Sequence, residues 1–272
     1  MKHVVVIGLG LMGASLGLGL RKLGVHVTGL DLPEALTLAA LQPAADTLLS
    51  IHDRPAAESA FLAADLTVLA PPVSAIMALL PWVLDHAPVV TDAGSTKRWI
   101  SESVSKHPNR ARFVPGHPMA GLPGGGAANA RADLFVASNW LLCPELSSSE
   151  ALGTTRQLVS QLGAHPVEMS AAEHDAAVAL TSHLPQLLGS CVKVLAHQGS
   201  VSAAAGPSFE RLTRAAGGAE NIWKDIFASN GDEVARVLRQ LCARLEPLAE
   251  ELERGGEARK VLELLSAARA LG

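Results

Sequence analysis

Cysteine is scarce in this chain. Cys143, Cys191 and Cys242 are the three in 272 residues, far apart and without a CxxC pair. A set so sparse and odd excludes a disulfide framework and a zinc site, and it fits reduced thiols in the cytoplasm. No metal is expected. Basic clusters are also missing: lysine and arginine total 22 against 26 acids, a formal charge of −4. That balance argues against nucleic acid as a partner. No internal repeat occurs, nor any low-complexity linker beyond the glycine-rich stretch Gly121 to Ala130. Past the N-terminal region no uncharged run suits a membrane span, so no membrane partner is expected. Apolar residues are plentiful, at 49%, enough for one large domain or two modest ones.

The chain is organised around Met1 to Asp31. His3 to Gly8 is an apolar run of the length of a buried parallel strand. It feeds into Gly8-Leu9-Gly10-Leu11-Met12-Gly13, then a helical run, Ala14 to Leu23, that stops at Gly24. A second strand, Val25 to Leu30, ends on Asp31. Strand, glycine turn, helix, strand and acid in that order form a βαβ dinucleotide-binding unit. Gly8 permits the sharp turn, Gly10 leaves room for a pyrophosphate, and Gly13 lets helix and strand pack closely. The amides opening the helix at Leu11, Met12 and Gly13, with the positive end of its dipole, face the phosphates. Asp31, eighteen residues past Gly13, can accept hydrogen bonds from both ribose hydroxyls. A carboxylate there repels a 2′-phosphate, so the expected cofactor is NAD and not NADP. Taken alone, Asp31 is also a plausible turn opener before Pro33. The uncharged run after Lys2 resembles a signal peptide, but its five glycines, the lack of a convincing cleavage site and the absence of a cysteine-rich domain argue against one.

Beyond Asp31 the alternation continues. Two short helices are expected over Leu32 to Ala64, a strand over Leu66 to Ala70 ended by Pro71-Pro72, and a helix over Ser74 to His86. Strands follow at Pro88 to Thr91, Arg112 to Val114 and Asn139 to Cys143, then a helix at Ser149 to Leu162 and a strand at His165 to Glu168. This predicts an α/β fold, with a doubly wound, mostly parallel Rossmann sheet over residues 1–168. Near Met169 the character changes. Ala171 to His197 reads as one long helix that is apolar on nearly every side. Asp232 to Leu252 carries a stripe at Val234, Leu238, Leu241, Leu245 and Leu248, and Gly255-Gly256 separates a last helix, Glu257 to Leu271. Residues 169–272 are therefore expected to form an all-helical domain whose central helix is buried in a homodimer.

In an open α/β sheet, ligands sit at the carboxyl ends of the strands. Three clusters are expected there: Pro71-Pro72, Thr91 to Lys97, and Gly116 to Gly121. His117, in a glycine/proline loop, suits a neutral imidazole that takes the proton of an alcohol as hydride leaves; a solvated loop histidine is the plain alternative. Ser95 could cap a helix from Thr96 onward, serve the site, or do both. Pro185 falls in mid-helix and predicts a kink, with Ser182, His183 and Gln186 around it. Such a kink either serves a site or is a satisfied structural feature. Arg214 could clamp a carboxylate bidentately or be a surface charge.

At these residues the clusters stop looking independent. GLGLMGASLG (Gly8 to Gly17), TDAGSTK (Thr91 to Lys97), GHPMAG (Gly116 to Gly121), HDAAVALTSHLP (His174 to Pro185) and LTRAAG…NIWKDIFASN (Leu212 to Asn230) together resemble the prephenate/arogenate dehydrogenase family of tyrosine biosynthesis. The resemblance spans nearly the whole chain. It implies a Rossmann domain followed by a helical dimerisation domain, and NAD-dependent oxidative decarboxylation of a small-molecule substrate, prephenate or arogenate. It implies that His117 accepts the substrate hydroxyl proton with Ser95 orienting it, that Arg214 binds a substrate carboxylate, and that His183 lies in the pocket. Prephenate-using members commonly have His where this chain has Gln186, so the substrate side chain is open. Feedback through a regulatory ACT domain is not expected. A β-hydroxyacid dehydrogenase or pyrroline-carboxylate reductase would want a catalytic lysine or a different signature on the long helix, which carries none except Lys193. A non-catalytic NAD-binding dimer is the rival outside enzymes.

Overall fold

The structure is a computed structural model that describes residues 1–39, 43–122, 125–198, 204–217 and 220–271. Residues 40–42, within the helices expected before Ala64, and 123–124, within the glycine-rich stretch, lie outside the described residues.

β1 (His3–Ile7) alternates its side chains between two apolar layers. Val4 and Val6 join a cluster with Leu16, Val27, Val68 and Trp140, and Val5 and Ile7 join one with Leu30, Phe61, Leu80 and Val90. A strand buried on both faces needs helices above and below, the signature of a parallel sheet. α1 (Leu11–Lys22), β2 (His26–Asp31), α2 (Pro33–Ala39), β3 (Thr47–Ser50), α3 (Arg54–Ala63), β4 (Leu66–Leu69), α4 (Val73–His86), β5 (Val90–Asp92), α5 (Arg98–Ser103) and β6 (Phe113–Val114) supply them. The six strands are parallel in the order β3-β2-β1-β4-β5-β6. That order reverses direction between β1 and β4, which opens the ligand crevice at their carboxyl ends.

Three expectations are corrected here. Leu32 to Ala64 holds a strand as well as helices: β3 is four residues long, too short to give a periodic signal, and pairing with β2 decides its form. Gly116 to Pro118 is not a free loop but a strand, β7 (Gly116–Pro118). It runs antiparallel to β8 (Asn139–Leu142) in a separate three-stranded sheet completed, after α6 (Ser149–Gln161), by β9 (His165–Glu168). The helix expected from Thr96 begins at Arg98, with Lys97 at its cap position and no side-chain cap bond. Ser95 is therefore not its cap.

The remainder is helical. α7 (Ala171–Val178) opens with a capping box between Ser170 and Glu173. It passes through a π-helical turn, Ala179–His183, into α8 (Leu184–Gln198). The expected disturbance at Pro185 takes this form: Pro185 lacks the N–H that an α-helix would direct at Thr181, and the wider turn absorbs the defect. α9 (Pro207–Thr213), α10 (Glu220–Arg254) and α11 (Arg259–Ala270) follow. α10 starts twelve residues before the expected Asp232 and is interrupted at Asn230 (φ −135°, ψ 22°). Its Val234 and Val237 pack with Ala179 and Leu184. Among the described residues no helix is long and apolar enough to cross a membrane.

Candidate active site

The glycine turn is built as a cradle. Gly8 has φ +89°, and a Cβ there would lie 2.7 Å from the nitrogen of Pro71, at the end of β4. A Cβ at Gly13 would overlap the carbonyl oxygen of Gly8, so α1 can approach β1 this closely only with glycine. At Gly10, by contrast, a Cβ would meet nothing within 4 Å. Gly10 also caps α1 without a side-chain hydrogen bond, which leaves the first-turn amides of Leu11, Met12 and Gly13 for an incoming anion. Asp31 ends β2 beside this turn; its Oδ2 accepts the Leu9 N–H at 2.6 Å and its Oδ1 the Leu32 N–H at 2.8 Å. The described geometry fits a dinucleotide.

A second group of residues forms one hydrogen-bonded chain. Asp175 is fully buried, and its Oδ1 accepts the Nδ1–H of His174 at 2.8 Å. The same carboxylate accepts the backbone N–H groups of Lys97 and Arg98 at 2.7 and 3.0 Å. His174 Nε2 lies 2.9 Å from His117 Nδ1. A carboxylate only accepts, so His174 carries its proton on Nδ1, and its bare Nε2 accepts from Nδ1–H of His117. His117 is left with an unprotonated Nε2, the form of a general base. Burial would raise the Asp175 carboxyl, but the bonds from His174, Arg98 and Lys97 outweigh it and hold the group below the usual carboxylate range. Burial, then His174, Lys97 and His183, hold His117 well below the usual histidine range. His174 is likewise lowered, by burial against the opposing pull of Asp175.

The strand beneath His117 is clamped. Asp92 Oδ1 accepts the Gly116 N–H at 3.0 Å, and buried Lys97, ion-paired with Asp92, donates to the Gly116 carbonyl at 2.7 Å. β7 thus presents His117 from a fixed backbone. Thr96 Oγ1 meets Ser229 Oγ of α10 at 2.8 Å, and Asp225 of α10 accepts both the N–H and hydroxyl of Ser74 at the start of α4.

The other expected residues are placed as follows. Ser95 is half-buried and directly precedes Thr96 and Lys97 in the chain; the partner of His117 is His174 and not Ser95. His183, at the end of the π-helical turn, is 1% exposed, edge-on to Trp223 at 5.9 Å and bonded to Asn230. Gln186 is buried one turn later on α8. Arg214 is exposed in the turn after α9. The end of α9 and that turn pack on α8 at Gly189, where a Cβ would lie 2.7 Å from the Leu212 carbonyl oxygen and 3.6 Å from the Ala216 nitrogen. Sequence reasoning gave no role to His174, Asp175, Asp92 or Lys97. The signal for them was the pairing of His and Asp at the start of a helix, and an Asp and Lys five residues apart after a strand.

The buried histidines set a pH dependence of stability. Burial pushes His183 down to about 4, against about 6.5 in an unfolded chain. The unfolded state binds the extra proton in that interval, so stability is full above about pH 6.5 and falls as pH is lowered toward 4. His183 alone contributes about 3 kcal/mol to the loss. Urea unfolding between pH 7 and 4.5 should give a shallower slope for His183→Gln than for the native chain. Equal slopes would mean that His183 is not held neutral.

Residues 16–168 match the family model described as prephenate dehydrogenase, nucleotide-binding domain, and residues 170–266 match prephenate dehydrogenase, dimerization domain. The prephenate dehydrogenase of Bacillus subtilis is 30% identical over 248 residues, which are 85% of this chain and 65% of that protein. The chain therefore spans just under two thirds of that relative's length. The cyclohexadienyl dehydrogenase of Zymomonas mobilis is 29% identical, over 91% of this chain and 87% of its own. Among solved structures, Synechocystis arogenate dehydrogenase superposes with a TM-score of 0.80 at 26% identity, covering 99% of both chains. The two family models together account for residues 16–266 apart from Met169, and the chain belongs to the prephenate dehydrogenase family.

Proposed function

We propose that this chain is an NAD-dependent prephenate dehydrogenase, converting prephenate to 4-hydroxyphenylpyruvate and CO2. The observation that carries the reading is the Asp175–His174–His117 relay, which leaves a neutral His117 Nε2 as base. Gly8, Gly10, Leu11, Met12, Gly13, Asp31, Pro71 and Ser95 are assigned to NAD, and the carboxylate of Asp31 favours it over NADP. When bound, the cofactor supplies a hydride acceptor. His117 takes the proton of the ring hydroxyl as hydride leaves the same carbon. The ring carboxylate then departs as CO2, leaving its electron pair to aromatise the ring. His117 returns its proton to the phenolate oxygen, so protons balance. Ser95 is assigned to the hydroxyl. Arg214, exposed and without an ion-pair partner among the described residues, is assigned to a substrate carboxylate, with His183 and Gln186 beside it.

Arogenate is the second reading, which Gln186 leaves open: arogenate carries an ammonium where prephenate has a ketone, and a neutral amide sets no positive charge against it. We infer a nucleotide domain over 1–168, a helical domain over 169–272, and a homodimer in the cytoplasm. Leu180, Val194, Leu195, Leu245 and Leu262 of the helical part are exposed, as an unpaired interface would be. The test is NADH formation from NAD+ with prephenate and arogenate in parallel. Turnover of prephenate supports the first reading and turnover of arogenate alone the second. NAD binding with no turnover of either would overturn both.

A further inference from the structure

The break in α10 is occupied by a side chain that looks inward. Asn230 is fully buried and belongs to no regular helical turn. Its Nδ2 donates to the Asp175 carbonyl at 2.8 Å and lies 3.3 Å from Nδ1 of His183. Its Oδ1 accepts from Nη2 of Arg98 at 3.2 Å. A guanidinium has donors and no acceptor, so Arg98 decides which end of the Asn230 amide faces it. The oxygen must turn to Arg98, and the NH2 must turn to His183. A donor aimed at Nδ1 requires that nitrogen to be bare, so the proton of a neutral His183 sits on Nε2.

We propose that Asn230 is a positioning residue: oriented by Arg98, it fixes His183 as the Nε2–H tautomer, making His183 a hydrogen-bond donor to the substrate and never its base. The two histidines of the site are thereby set in opposite senses. His117 presents a lone pair at Nε2 through Asp175 and His174, and His183 presents an N–H at Nε2 through Arg98 and Asn230. Both chains of bonds converge on Asp175, one on its carboxylate and one on its backbone carbonyl. Arg98 ties them further by bonding Asp232 at 2.6 Å on the far side of the break. The substrate group that meets His183 must therefore be an acceptor, a carboxylate or carbonyl oxygen. That last step rests on the dehydrogenase reading; the tautomer does not.

The full chain, labelled with 15N in histidine, would be examined by long-range 15N–1H correlation, with the His183 signals assigned by their loss in His183→Gln. The expected result is a bare Nδ1 and a protonated Nε2 near pH 7. In Asn230→Asp the group facing Nδ1 becomes an acceptor while the bond from Arg98 is kept, and Nδ1 should become protonated. A purely structural role for Asn230 would leave the tautomer unmoved. A protonated Nδ1 in the native chain, or a bare one in folded Asn230→Asp, would overturn the proposal. With turnover in hand, Asn230→Asp should lower kcat/KM about tenfold, the loss of one bond to substrate. Failure of that arm alone, with the tautomers as stated, would separate the substrate role from the positioning role and refute the former.

Discussion

His117→Asn should lower kcat by about 10³-fold, the scale of a lost general base, while NAD binds with nearly unchanged affinity. The substitution separates two jobs of the ring. An asparagine amide can still donate to His174 where Nδ1–H did, so the relay behind it survives. It has nothing in place of Nε2, the atom assigned to the hydroxyl proton. The glycine turn is built by β1 and α1 and not by β7, so the substitution leaves the cradle itself intact. Steady-state rates and a fluorescence titration with NADH would check both halves. Near-normal turnover would remove His117 from the role, and lost NADH binding would mean that the variant damages more than the base.

Asp175→Asn carries the second-largest expected effect, a fall in kcat of about 10²-fold or more with little change in substrate KM. The carboxylate accepts three N–H donors: His174 Nδ1, Lys97 N and Arg98 N. An amide must set its own NH2 against one of them. Turned toward His174, it also faces the Lys97 N–H, because both bond to Oδ1, and it inverts the ring of His174, which then donates from Nε2 to His117 and moves the His117 proton onto Nε2. Turned toward Arg98, it leaves a buried backbone N–H unpaired, at about 1–3 kcal/mol of stability. Either arrangement leaves one backbone N–H unpaired and lowers the urea midpoint, and the fall in kcat marks the one turned toward His174. A variant with native kcat and native stability would show that the relay does not set the tautomer of His117.

Much of the fold was legible because the deciding features are local. The β1–α1–β2 unit announces itself through Val4, Val5 and Val6, three glycines and Asp31, and Gly8 and Gly13 meet the steric demands their positions imply. Pro185 likewise disturbs its helix because of its own ring. What stayed hidden depends on partners distant in sequence. β3 is a strand because β2 lies beside it, and Gly116 to Pro118 is one because Trp140 to Leu142 runs alongside. The same division holds in the site. His117 stands out in a glycine/proline setting. Its partner His174 is 57 residues away, and no local spacing connects them. Asn230 carries no sign of its role, since it precedes the helix expected from Asp232 and its place in a break of α10 shows only in the fold.

The relay joins His117, from the part of the chain that matches the nucleotide-binding model, to His174 and Asp175, from the part that matches the dimerization model. In the language of logic, the base is an AND gate. The first segment alone holds the cradle and an imidazole with an undetermined tautomer, and the second holds the acid that sets it but no reacting nitrogen. A gene split near Met169 would thus encode two polypeptides, each silent, with competence returning only on reassociation.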